Sequence, residues 1–297
     1  MKVLVTGSHG LVGTALIKSL AADNHQVIRL VRQKSTDDAT ISWDPTKGVI
    51  DKQRLEGLDV VFHLAGESIA SGRWTDEKKR KIRDSRVRGT ELLAKSLAGL
   101  SQPPSSLISA SAIGYYGDRG DEVLTEQSRA GSDFLAGVCV EWEQATEPAS
   151  AAGIRVVLPR FGIILAKEGG ALAKMLPPFR MGIGGRVGDG KQWMSWIALD
   201  DVVGGLRFVT ENARVSGPVN FVAPNPVTNA QFTKALGHVL SRPTLFPVPA
   251  FGARLAFGEM ADALLLSSQR VDPACLKNEH YPFKFPELDK ALRHSLN

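Results

Sequence analysis

Short runs of apolar and β-branched residues at positions 3–6, 27–31, 60–64, 106–109 and 155–158 are separated by longer stretches in which apolar positions recur every three to four residues. The runs read as buried strands and the stretches between them as amphipathic helices. This alternation predicts an α/β protein built on a doubly wound parallel sheet. After residue 165 the texture changes. Gly169, Gly170, Pro177, Pro178 and the glycines between 182 and 190 predict a loop-rich stretch of the kind that forms binding surface. Helical periodicity returns over 200–211 and over 229–240, the second behind Thr228 as a cap, and from 250 onward the chain reads as mostly helical.

Composition adds bounds to this picture. A chain of 297 residues with 43% hydrophobic composition suits one large or two modest globular domains. Its net charge of +5 is concentrated: residues 73–88 hold eight basic and three acidic side chains, and the remainder balances. Only Trp74 stands beside that cluster, so a nucleic-acid partner is not expected. Cys139 and Cys275 form no Cys-x-x-Cys pair and the histidines are scattered, so no metal site is expected and a reducing cytoplasm fits. No secretory leader pattern opens the sequence. The most apolar late stretch, 253–266, is short and carries Arg254, Glu259 and Asp262, so no membrane partner is expected either.

The sharpest local signal is Gly7-x-x-Gly10-x-x-Gly13, directly after the first strand and at the start of the first helix. A tight turn, a close backbone approach to a pyrophosphate and close helix packing each require a glycine there, and the free N–H groups at the helix start attract an anion. Gly7, Ser8, His9, Gly10, Leu11 and Val12 are therefore candidate cofactor contacts in a Rossmann-type domain expected over 1–165, with 191–228 returning to it. Residues 166–190 and 229–297 are expected to form a smaller, mostly helical region on the substrate side. The second strand ends in Val31 and Arg32 with no acidic residue nearby, which favours a 2′-phosphate and hence NADP(H) over NAD; a solvated surface arginine is the alternative. The third strand runs into Leu64, Ala65 and Gly66, small enough for backbone to lie against a nucleoside.

Within a helix expected over 75–97, Ile82, Arg86, Gly89, Leu93 and Leu97 share one narrow stripe. Arg86 is therefore aimed inward, where an unpaired guanidinium is costly, and it calls for a carboxylate or a cofactor phosphate. Arg80 and Arg83 lie off the stripe and read as solvated.

Together these residues, with Ser109 and Ser111, Tyr115-Tyr116-Gly117-Asp118, Trp196 and Asp200-Asp201, resemble the extended short-chain dehydrogenase/reductase superfamily. Gly66-Glu67, Arg73-Trp74, Gly114, Arg180 and Ala223-Pro224-Asn225 bring the chain closer to the atypical "epimerase family" proteins, whose label is nucleoside-diphosphate-sugar epimerase and which end in a small helical domain of unknown function. The resemblance implies an NADP(H)-binding Rossmann domain with Val31 and Arg32 at the adenosine phosphate, Leu64 and Ala65 at the central ribose, and Arg86, Lys81 and Ile164 beside the cofactor. It implies an oxidoreductase or epimerase acting on a small molecule.

The chain departs from the superfamily where chemistry is expected. Leu135 and Cys139 stand at the positions of the usual Tyr-x-x-x-Lys pair, and neither shuttles a proton as that pair does. Ser111 is expected to polarise a carbonyl, with Tyr115 or Tyr116 as the acid and base; Tyr116 is the candidate taken here. Arg180, Arg186 and Lys191, set among glycines, suit an anionic substrate such as a nucleotide sugar. The missing pair also motivates a rival expectation, a redox sensor that binds NADPH and catalyses nothing.

Overall fold

A computed structural model describes residues 1–33 and 37–297. The strands are β1 (Lys2–Thr6), β2 (Gln26–Val31), β3 (Thr40–Asp44), β4 (Val49–Ile50), β5 (Val60–His63), β6 (Ser106–Ser109), β7 (Ser111–Ala112), β8 (Val123–Leu124), β9 (Arg155–Phe161), β10 (Ile163–Leu165), β11 (Trp193–Met194), β12 (Trp196–Ala198), β13 (Gly217–Phe221), β14 (Val227–Thr228) and β15 (Arg270–Val271). The helices are α1 (Leu11–Ala22), α2 (Asp76–Ala98), α3 (Phe134–Gln144), α4 (Glu147–Ala151), α5 (Gly170–Arg180), α6 (Leu199–Glu211), α7 (Asn229–Leu240), α8 (Ala250–Phe257), α9 (Glu259–Ala261), α10 (Ala274–Asn278) and α11 (Leu288–Leu296).

The central sheet runs β13-β9-β6-β5-β1-β2-β3-β4, with β7 also against β9. Its pairings are parallel except the β3–β4 hairpin. Alternation along the strands sends side chains to two cores. Val3, Val5, Val60, Phe62 and Ile108 pack under α1 and α6, while Leu4, Leu30, Val61 and Leu107 pack under α2 and α4. Strand order reverses between β1 and β5, which opens a crevice beyond their carboxyl ends.

Helix α2 follows the sequence closely. Thr75 caps it by accepting from the Lys78 N–H, Asp76 and Glu77 sit in the positive first turn, and Ile82, Gly89, Leu93 and Leu97 are buried along the predicted stripe. The stretch at 170–180, expected as loop, is helix α5 with Pro177 and Pro178 inside it. Leu172, Leu176 and Phe179 bury its apolar face in a third core with Trp196, Phe232 and Leu292, and that burial outweighs the proline penalty. Among the described residues no helix is long and apolar enough to cross a membrane, and no cluster of ligating side chains could hold a metal.

Candidate functional site

The glycine turn is built by contact. Gly7 has φ +64, and a Cβ there would lie 2.6 Å from the Leu64 carbonyl oxygen. A Cβ on Gly13 would lie 2.3 Å from the Gly7 carbonyl oxygen. The end of β1, the end of β5 and the first turn of α1 are thus in backbone contact, and only glycine permits it. Gly10 is the N-cap of α1 and no side chain satisfies the helix's first N–H groups, which leaves them for an anion. Ser8 is buried and its hydroxyl lies 3.4 Å from His9 Nδ1; His9 and Gly10 are exposed, while Leu11 and Val12 are half-buried at the helix start. Leu11 also lies against Gly169 and Gly170, and the Ile164 carbonyl oxygen lies beside Gly170, so Ile164 and α5 close the same crevice.

The wall of β5 is held by Thr6, a residue not singled out in the sequence. Its hydroxyl oxygen accepts from the Leu64 N–H at 3.0 Å and the Ala65 N–H at 3.1 Å, and it hydrogen-bonds with His63 Nδ1 at 2.8 Å. Burial holds His63 neutral, lowering its pKa to about 4. Gly66 continues this wall and packs on Arg86: a Cβ there would sit 3.3 Å from Arg86 Cζ.

Arg86 donates from Nη1 to the Glu67 and Ile82 carbonyl oxygens, both at 3.0 Å, and its guanidinium lies 5.0 Å from the Trp142 ring centroid. It has no carboxylate partner among the described residues, and burial lowers its pKa. Arg32 is exposed at the end of β2 beyond Val31 and forms no ion pair among the described residues. Between the two lies Glu67. Its carboxylate accepts from Lys78 at 2.6 Å, and that bond, with Arg32 and Lys81 further off, holds its pKa below the ordinary value. Lys81 itself is exposed and paired with Glu77 at 2.6 Å. The lip of the crevice is therefore positive around one acid. Most of the basic helix is neutralised by neighbours: Lys79 by Glu259, Arg83 by Glu141, Arg88 by Asp84.

The residues expected to do chemistry are turned elsewhere. The Ser111 hydroxyl donates to Glu143 Oε1 at 2.6 Å, and Arg160 grips both oxygens of the same carboxylate at 2.8 Å. Tyr116 is fully buried, with its hydroxyl donating to Asn220 at 2.6 Å and accepting from Arg160 at 3.0 Å. Burial pushes this phenol up to about 12, against the pull of Arg160. For Arg160 burial disfavours the charge, but the bonds to Glu143 and Tyr116 raise its pKa. Ser111 and Tyr116, expected from the sequence to handle a carbonyl and its proton, thus share one buried network behind β7. Its physical reason is that a buried carboxylate and guanidinium demand every hydrogen bond within reach. Neither Glu143 nor Arg160 was singled out, although an arginine inside an apolar strand run was the available signal.

Tyr115 differs from its neighbour. It is half-buried, its ring carries the Arg160 guanidinium 3.5 Å from the centroid, and its hydroxyl has no hydrogen bond among the described residues. Leu135 and Cys139 face Gly114, and burial pushes the Cys139 thiol up to about 12, so it offers no thiolate.

Comparison with known proteins agrees with this geometry. Residues 3–222 match the family model described as NAD dependent epimerase/dehydratase family, and residues 248–295 match a domain of unknown function. An epimerase family protein of Mycobacterium tuberculosis is 43% identical over 293 residues, covering 99% of this chain and 97% of the relative. The crystal structure of human epimerase family protein SDR39U1 with NADPH superposes with a TM-score of 0.91 at 33% identity, covering both chains in full. UDP-glucose 4-epimerase of Thermotoga maritima, at 18% identity and a TM-score of 0.76 over 100% of this chain and 97% of that one, shares the fold. With its glycine turn, parallel sheet and helical C-terminal part, the chain belongs to the NAD dependent epimerase/dehydratase family.

Proposed function

We propose that this protein binds NADP(H) along the crevice beyond β1 and β5 and works as an oxidoreductase or epimerase on a small anionic substrate. The observation that carries this reading is the backbone contact of Gly7 with Leu64 beside an uncapped helix start, a cradle that a side chain would fill. The NADPH held by the human relative, which matches the chain over its full length, supports the same assignment.

Each residue of the crevice has a role in this reading. The first N–H groups of α1 bind the pyrophosphate, Arg32 takes the 2′-phosphate, and Leu64, Ala65 and Gly66 lie against the ribose. Arg86, desolvated and without a carboxylate, supplies positive charge from α2, while Ile164 and Leu11 exclude water from the opposite wall. When bound, the nicotinamide supplies or accepts a hydride. Tyr115 is the tyrosine with an uncommitted hydroxyl, and it holds or passes the substrate proton with the Arg160 charge over its ring. Ser111, Glu143 and Tyr116 position Arg160.

One observation favours a second reading, the redox sensor: the hydroxyls of Ser111 and Tyr116 are both committed to buried partners. Fluorescence titration of the pure protein with NADPH tests binding, and its absence would overturn both readings. A turnover screen with aldehydes, ketones and nucleotide sugars separates them. Turnover lost in Tyr115→Phe supports the enzyme, and tight binding without turnover across the panel supports the sensor.

A further inference from the structure

Most large apolar side chains left exposed among the described residues fall between positions 181 and 257. Met181 and Ile183 follow α5, Leu245 and Phe246 lie in the proline-flanked segment after α7, and Phe251 and Leu255 stand one turn apart on α8. Leu245, Phe251 and Leu255 are 77, 74 and 76% exposed, so they project into solvent instead of lining a groove. The segments that carry them are fastened to one another. Gly185 is pressed on the Phe246 carbonyl so closely that a Cβ would lie 1.8 Å from its oxygen, and the Val248 N–H donates to the Arg186 carbonyl oxygen at 2.8 Å. Arg242 Nε donates to the Arg180 carbonyl oxygen at 2.9 Å, and the Arg73 guanidinium donates to the Leu255 and Ala256 carbonyl oxygens at the end of α8. Exposed apolar side chains gathered on segments that are fastened to one another mark an interaction site.

The charges around it select the occupant. Arg73, Lys174 and Arg242 hydrogen-bond only to backbone carbonyl oxygens, and Arg180 has no acidic partner among the described residues. Of the nearby acids, Glu259 is paired with Lys79 and Asp262 with Arg254, and Asp189 accepts from the Lys191 N–H, so basic side chains outnumber free acids there. We propose that this face docks on an anionic lipid surface, with Phe251, Leu255, Leu245 and Phe246 entering the headgroup boundary and the unpaired arginines meeting the lipid phosphates. A second copy of the chain is disfavoured, because a two-fold contact would set the arginine rim against itself. A helical peptide is disfavoured because projecting side chains offer it no groove. The face borders the crevice at α5, and its test does not depend on the function proposed above.

Co-sedimentation of the full chain with phosphatidylcholine vesicles, with and without phosphatidylglycerol, tests the proposal. Binding is expected to be about tenfold stronger on the anionic vesicles and to fall as salt rises. The double variant Phe251→Ser/Leu255→Ser is expected to lose it while melting temperature and NADPH titration stay as in the parent, and Arg242→Glu is expected to weaken it. Equal partition to both vesicles, no partition to either, or full binding by the double variant overturns the proposal. So does a lipid-free dimer in sedimentation equilibrium that the double variant dissolves.

Discussion

Ser111 gives its hydroxyl hydrogen to Glu143 across 2.6 Å, and this bond decides what the end of β6 and β7 can do. The acceptor is already gripped by Arg160, so the serine completes a buried ion pair and is spent as a donor toward substrate.

Replacing Ser111 by alanine is therefore expected to act on stability first, costing about 2 kcal/mol for a lost hydrogen bond to a charged group. Glu143→Ala is expected to cost more, about 3 to 5 kcal/mol, because it strands the Arg160 charge in a site only 2% exposed. Denaturant unfolding measures both. A Ser111→Ala protein as stable as the parent would contradict the network.

At the glycine turn, Gly13→Ala brings a methyl group to 2.3 Å from the Gly7 carbonyl oxygen. Neither backbone segment can yield without moving Leu64, so NADPH affinity is expected to fall at least about a hundredfold, together with a lower melting temperature. Fluorescence titration reads the first effect and calorimetry the second.

Arg32 is exposed and unpaired, so Arg32→Glu is expected to leave stability within about 0.5 kcal/mol of the parent. Its effect should be on selectivity: NADPH binding weakened by about ten- to a hundredfold, with NADH binding held or improved. Parallel titrations with the two dinucleotides check this. An equal loss for both would mean that Arg32 does not read the 2′-phosphate.

His63 is buried and neutral, with a folded pKa of about 4 against 6.5 when free. Between these values the unfolded chain binds the extra proton, so stability falls as pH drops through the window from 6.5 toward 4. The full loss is about 3 kcal/mol. Denaturant midpoints across this range should show the slope, and an uncharged replacement such as His63→Asn should flatten it.

The parts of the crevice legible in the sequence were those that depend on neighbours along the chain. Gly7, Gly10 and Gly13 announce themselves because a strand, a turn and a helix start follow one another, and Arg86 because helical spacing carries it onto the stripe of Ile82 and Leu93. The short strands β3 and β4 were not legible, since their pairing beside β2 supplies most of their reason to exist. Helix α5 was masked by its own prolines, which only the packing of Leu172, Leu176 and Phe179 overrides.

The sequence by itself determined the doubly wound sheet, the anion-ready turn and the absence of the Tyr-x-x-x-Lys pair, because periodicity and residue type act over a few neighbouring positions. Only the tertiary structure decided which hydroxyls are free. Ser111 and Glu143 lie far apart in sequence, as do Tyr116 and Asn220, and the pairing of β7 and β13 with β9, with α3 packed on β7, brings them together in a buried space. There the need to satisfy a buried charge governs each side chain's role, and a partner of that kind is set by the sheet, not by local pattern.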